Sequence, residues 1–143
     1  MGDDGICLKS GKDAAGRRIG VPAEDVLVED CVVYSAHGDF TIGSKMSGSV
    51  RNIVVNSCTF MGTDIGLRFK STGGRGGLVD NIRISNIRRT AIPGDAINFN
   101  RYSGGKAPLD DAGGATEGAA PPVREAMPQF RDLELENVVC RGA

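Results

Sequence analysis

A short apolar pattern that returns at nearly constant spacing limits what this chain can fold into more than any other feature. Val26, Ile53 and Ile82 each follow an Asp or Asn (Asp25, Asn52, Asn81) and each leads further apolar residues at i+2 and i+5: Val28 and Cys31, Val55 and Cys58, Ile84 and Ile87. The first interval is therefore nearly equal to the second. The pattern returns at Leu133, Leu135 and Val138 behind Asp132, after a gap almost twice as long, which fits two coils or one coil with a long insertion. A second family of alternating segments, Ile6 to Ser10, Phe40 to Ser44, Leu67 to Ser71 and Ile97 to Asn100, lies out of phase, with Leu8, Ile42, Phe69 and Phe99 at comparable intervals. Each segment is too short to bury its apolar face alone, but coils stacked at the ~4.8 Å interstrand distance continue both the core and the hydrogen-bond ladder. Two strand families with one period predict an all-β chain, a right-handed parallel β-helix solenoid over residues 1–143. A leucine-rich repeat would need a helical segment in each period, and a β-sandwich gives no reason for a shared period.

The remaining composition agrees with a solenoid. The chain has 21 glycines and very few aromatic residues, as many short strands joined by sharp turns require. Asn52, Asn81 and Asp132 are expected to satisfy turn backbone with their side chains. Cys31 and Cys58 hold equivalent strand-end positions that fit an internal stack of small hydrophobes, with a disulfide as the minor reading. The four cysteines form no CxxC and no compact metal-ligand spacing. From Tyr102 to Met127 the rhythm stops in a Gly-, Ala- and Pro-rich stretch, read as a long loop at 102–127 carried on one coil. Seventeen Lys and Arg against eighteen Asp and Glu leave no basic excess for a nucleic-acid backbone, so Arg17-Arg18 and Arg88-Arg89 read as solvated surface. No apolar run approaches the ~20 residues that span a bilayer, so no membrane partner is expected. Met1-Gly2-Asp3-Asp4 has no secretory character.

Candidate chemistry appears when polar residues are placed in the repeat. The offset that carries Leu8 onto Ile42 puts Asp3 in register with His37, the only histidine, while Asp4 lies beside Asp3. One coil on, a strand that buries Leu67 and Phe69 turns Arg68 and Lys70 outward. Two carboxyl groups can divide acid and base work in glycoside hydrolysis. Repulsion between adjacent anions would raise one pKa and keep an acid available. A histidine can hold the acid's geometry and charge state. Arg68 and Lys70 would take a carboxylated sugar, one by a bidentate pair and the other as a point charge. Lys9 also faces outward beside the acidic pair, where a turn contact would serve equally well; Ser44 and Ser71 read as caps, since His37 has no Ser/His/Asp arrangement.

These stretches, Gly2-Asp3-Asp4-Gly5-Ile6-Cys7-Leu8-Lys9-Ser10-Gly11, Ala36-His37-Gly38 and Gly66-Leu67-Arg68-Phe69-Lys70-Ser71, resemble the Asp-Asp, His-Gly and Arg-x-Lys motifs of glycoside hydrolase family 28, the polygalacturonases and related pectin hydrolases. The resemblance implies an inverting hydrolase of α-linked galacturonan, with Asp3 as general acid, Asp4 helping to activate water, His37 supporting the acid, and Arg68 and Lys70 binding substrate carboxylate. It implies no cofactor and no metal, an acidic polysaccharide or oligogalacturonide as partner, a monomeric full-length form, and a place outside the cell or in the periplasm. It also implies a further Asp, in an Asn-Thr-Asp motif about one coil before Asp3, which these 143 residues do not contain. The chain is therefore expected to hold part of an active site with impaired activity, and open β edges at its ends are expected to favour self-association. Two other readings compete: a calcium-dependent pectate lyase, in which Asp3, Asp4 and Asp39 would imitate part of a metal site, and a noncatalytic carbohydrate-binding or structural β-helix.

Overall fold

The computed structural model describes residues 2–103 and 126–142. Strands β1 (Ile6–Leu8), β4 (Phe40–Gly43), β7 (Leu67–Lys70) and β9 (Ile97–Asn100) stack in parallel as one sheet. A second sheet is built on β2 (Ala23–Glu29), β5 (Val50–Asn56), the long β8 (Leu78–Thr90) and β11 (Leu133–Arg141). The short β6 (Thr59–Met61) pairs with the end of β8 and carries β3 (Val32–Tyr34) on its other edge, and β10 (Gln129–Phe130) joins the start of β8. The result is a right-handed parallel β-helix.

The pairing register is the one the repeat predicts. Val26, Ile53, Ile82 and Leu133 lie side by side, as do Leu8, Ile42, Phe69 and Phe99. Inward columns from both sheets meet in one core, in which Ile42, Ile53, Phe60, Leu67 and Ile82 are fully buried. Phe69 stacks on Phe99 with ring centroids 4.6 Å apart. All four cysteines are free; Cys31 and Cys58 stack against the core and are not bonded to each other.

Variation in the period falls at a single corner. From the second sheet round to the first, the arcs Val26 to Ile42, Ile53 to Phe69 and Ile82 to Phe99 are almost identical in length. From the first sheet round to the second, the arcs are unequal: Ile42 to Ile53 is the shortest, Phe69 to Ile82 a little longer, Leu8 to Val26 longer again, and Phe99 to Leu133 by far the longest. Helix α1 (Asp13–Ile19), which the strand pattern does not announce, supplies the extra length between Leu8 and Val26. Since β11 pairs directly with β8, the long gap from Ile82 to Leu133 is one coil with an insertion, and not two coils. Most of the predicted loop at 102–127 lies outside the described residues.

Three columns of left-handed backbone mark where each coil bends. Asp25, Asn52, Asn81 and Asp132 form the first; Asp30, Ser57, Asn86 and Asn137 the second; Ser35, Gly62, Ala91 and Gly142 the third. Asn and Asp tolerate this conformation better than other side-chain-bearing residues do. The bonds their side chains make run between coils: the Asn52 amide donates to Asp25 Oδ1 at 3.0 Å, and Asn81 donates to Asn52 Oδ1 at 3.0 Å. Asn137 and Asn86 repeat the bond at 2.8 Å in the second column. Side-chain ladders thus tie neighbouring coils together at the bends.

One expectation from sequence is overturned. Arg88 is exposed, but Arg89 is fully buried, because strand alternation turns it into the inward column of Val33 and Phe60. There its Nε lies 3.5 Å from Oδ2 of the buried Asp39, its Nη1 donates to the Ala96 carbonyl, and Thr63 donates its hydroxyl to Asp39 Oδ1. Burial costs more than these partners return, pushing Asp39 up to about 6 while the bond from Thr63 and the Arg89 charge pull the other way. Burial likewise holds Arg89 below its ordinary value against the pull of Asp39.

A carboxyl whose native pKa lies above its unfolded value stabilises the fold most below the unfolded value, near 3.8, and loses that contribution as pH rises through about 6. The free energy of urea unfolding should therefore fall between pH 4 and pH 6.5 by an amount on the order of 2 kcal/mol attributable to Asp39. The Asp39→Asn variant should show a flatter profile over that range. Parallel profiles for the two proteins would show that Asp39 does not titrate in the fold.

Candidate active site

The turns that enter the first sheet stack as the strands do. The amide of His37 donates to the Asp3 carbonyl at 3.1 Å and that of Ile65 to the His37 carbonyl at 3.0 Å, while Gly38 bridges to Ile65. Asp3, His37 and Asp64 therefore occupy equivalent places in three successive coils, as the offset from Leu8 to Ile42 predicts for the first two. On the strands that follow, Cys7, Thr41, Arg68 and Asn98 form one outward column, and Gly43, Lys70 and Asn100 fall in the next.

The two neighbouring carboxylates have unlike surroundings. Asp3 is exposed and its Oδ1 accepts the amide N–H of Asp4 at 2.8 Å. Asp4 is turned along the sheet, its side chain only 4% exposed, and accepts a 2.8 Å hydrogen bond from Lys70 Nζ on Oδ2. Arg68 Nη1 stands 3.6 Å from Oδ1 of the same carboxylate. Asp4 thus reaches two coils along the stack, roughly twice the ~4.8 Å interstrand distance. Small residues in the intervening coil make this possible: a Cβ on Gly38 would lie 2.7 Å from Asp4 Oδ1 and 2.6 Å from Thr41 Oγ1, and one on Gly43 would overlap the Lys70 carbonyl.

Burial raises the Asp4 pKa, but the Lys70 hydrogen bond and the charges of Lys70 and Arg68, with the Thr41 hydroxyl nearby, together outweigh it and hold the carboxyl below its ordinary value. The expected repulsion between adjacent anions is therefore not what governs Asp4; two cations are. Arg68 keeps buried Nε and Nη1 atoms without a hydrogen-bond partner among the described residues. Asp4, Arg68 and Lys70 together carry one net positive charge, which suits an anionic ligand.

His37 Nδ1 lies 3.1 Å from Asp64 Oδ2, with both side chains substantially exposed. Asp64 is not among the residues that the sequence singles out. A signal for it exists, because the step from His37 to Asp64 equals the step from Ile42 to Phe69. Thr41 escapes too, hidden as an ordinary β-branched strand residue. Asp39, a possible partner of Asp3 and Asp4 in a metal site, instead points into the core toward Arg89. Among the described residues no three His, Cys, Asp or Glu side chains are grouped to hold a metal ion.

Residues 1–106 match the model of glycosyl hydrolases family 28. The chain belongs to glycoside hydrolase family 28. It is 30% identical over 138 residues, 96% of its length, to a Vitis vinifera protein named "Probable polygalacturonase", of which it covers 27%. The structure superposes on a hyperthermoactive exopolygalacturonase from Thermotoga maritima with a TM-score of 0.70 and 41% identity, over 73% of this chain and 24% of that one. The chain thus spans about a quarter of the length of these family 28 relatives.

In this family 28 chain, Lys70→Met should raise the Asp4 pKa toward its ordinary range, read from the carboxyl carbon by NMR titration. A carboxylate with a lowered native pKa contributes stability above its unfolded value and loses it as pH falls through the native one. Acid unfolding of Lys70→Met should accordingly begin at a higher pH than in the parent chain. An unmoved Asp4 titration would show that Lys70 is not what holds the carboxylate down.

Proposed function

We propose that the site hydrolyses the α-glycosidic bonds of galacturonan, the acidic polymer of pectin, with inversion at the anomeric carbon. In this reading Asp3 protonates the leaving oxygen as general acid, Asp4 helps to draw the proton from the attacking water, and His37 supports the acid. Arg68 and Lys70 bind a substrate carboxylate while their net charge keeps Asp4 ionised. The observation that carries the reading is the unlike setting of the two neighbouring carboxyl groups: Asp4 is buried between two cations and pushed toward its charged form, whereas Asp3 is exposed and has no ion pair among the described residues. Pairs of carboxyls in contrasting environments are how acid and base roles are divided. Arg68 and Lys70 each keep part of their side chain open to solvent, which further supports recognition of a carboxylated sugar.

The names of the relatives agree with this substrate class, and family membership supports pectin degradation in general. A lyase built on a cluster of acidic metal ligands is less well supported, since Asp39 is committed to Arg89 and Thr63. The substrate is a cell-wall polymer too large to enter a cell, so the proposal includes a location outside the cell or in the periplasm. Acidic polysaccharide or its oligomers would be the binding partner.

The test is reducing-end release from polygalacturonate by the longest natural polypeptide that carries these 143 residues. Asp3→Asn should lower turnover by about 10²- to 10⁴-fold with little change in binding, as loss of an acid–base group does. Proton NMR of the first products should show the β anomer. Unsaturated products absorbing in the ultraviolet would replace this reading with elimination, and binding without any cleavage would leave a carbohydrate-binding β-helix.

A further inference from the structure

Among the described side chains around the proposed site, Asp64 makes the bond that decides the tautomer of His37. Its Oδ2 meets Nδ1 of His37 at 3.1 Å, and an ionised carboxylate can only accept. Nδ1 must then carry a hydrogen. In the neutral ring this leaves Nε2 as the bare, accepting nitrogen. Which ring nitrogen is protonated is set by the hydrogen bond the other makes.

The fold presents this contact reproducibly. The arc from the second sheet to the first has the same length in the coil of His37 as in the coil of Asp64, so the two turns arrive in the same place in consecutive coils. Backbone bonds then lock them: Asp64 donates its amide to the Ala36 carbonyl at 2.9 Å, Ile65 to that of His37, and Asp39 to that of Ile65 at 3.0 Å. Beneath, Thr63 is tied to Asp39 inside the core. The bond is thus held from both turns, even though the two side chains are open to solvent.

We propose that Asp64 is a positioning residue that fixes His37 as the Nδ1–H tautomer, leaving Nε2 as an acceptor for the acid at Asp3 or for a sugar hydroxyl. This rests on the hydrolase reading for its catalytic consequence, but the tautomer itself does not. The logic is that of an orienting carboxylate behind a working imidazole, here built from equivalent positions of adjacent coils.

Because His37 is the only histidine, nitrogen NMR of the 143-residue chain reads its two ring nitrogens without assignment ambiguity. At a pH where the ring is neutral, the parent chain should show protonated Nδ1 and bare Nε2. Asp64→Ala should move the ring toward the Nε2–H form that free histidine favours, and Asp64→Glu should restore the parent pattern. Bare Nδ1 in the parent chain overturns the inference without any variant, and so does protonated Nδ1 that persists in folded Asp64→Ala. In the active polypeptide, Asp64→Ala should lower kcat by about tenfold or more, less than the ~10²- to 10⁴-fold expected for a proton-transferring group, with KM little changed. Unchanged kcat would overturn the positioning role. The Nδ1–H pattern in a protein that cleaves no uronate polymer would count against the hydrolase reading and still support the tautomer assignment.

Discussion

Everything at the site depends on the register in which one coil lies on the next. A strand alternates faces with every residue, so a slip of one position would send Arg68 and Lys70 into the core and Leu67 and Phe69 out to water. Two devices oppose such a slip. The inward columns bury large apolar side chains in the middle coils almost completely, which makes the wrong face costly. The left-handed bends then recur in all three columns with the same offsets from coil to coil, and the Asn and Asp side chains at them bond across the stack. Bends that must coincide fix the register more tightly than a continuous strand would.

Two buried or nearly buried carboxylates show how partner geometry decides charge. Asp4 and Asp39 both face a cation and are both withdrawn from water, yet one is pulled below its ordinary value and the other is pushed up to about 6. Asp4 has a 2.8 Å bond from Lys70 and a second cation 3.6 Å away, and its partners keep part of their surface in solvent. Asp39 has a single guanidinium at 3.5 Å, itself fully buried and carrying its own desolvation cost. The attraction is real in both places; only at Asp4 does it exceed the loss of water.

The architecture is legible in the sequence because its signal is redundant: every coil repeats it, and the recurring offsets correctly align Val26 with Ile53 and Asp3 with His37. What escapes is whatever appears once. Helix α1 is seven residues long and lacks an N-terminal cap, since Lys12 precedes it without a side-chain bond, and only the left-handed Gly20 marks its end. Arg89 escapes because a charged side chain in an inward column defies the pattern, and the partners that make it tolerable, Asp39 and the Ala96 carbonyl, lie outside its own strand. β3 and β6 escape as strands since three residues are too few to show alternation. Asp64 lies in plain view at the repeat distance from His37, but a lone acid in a turn is usually solvated, and nothing short of the stacked coils distinguishes it.

The corner at which insertions enter also bears on how such a site can persist while its surroundings change. The arc leading into the turns of His37 and Asp64 keeps a nearly constant length in the described coils, whereas the opposite corner varies widely. Residues added there, such as α1, follow the first sheet in the chain, and they do not displace the turns that precede it. α1 packs back through Arg17 to the Gly74 and Arg75 carbonyls and through Asp13 to Arg75 at 2.9 Å, anchoring itself to a later coil of the same corner. Carboxylate and imidazole positions are therefore decoupled from loop length by the closure of each coil. A β-helix can alter what borders the outward face of the first sheet by changing one corner while the other continues to hold its polar columns in line.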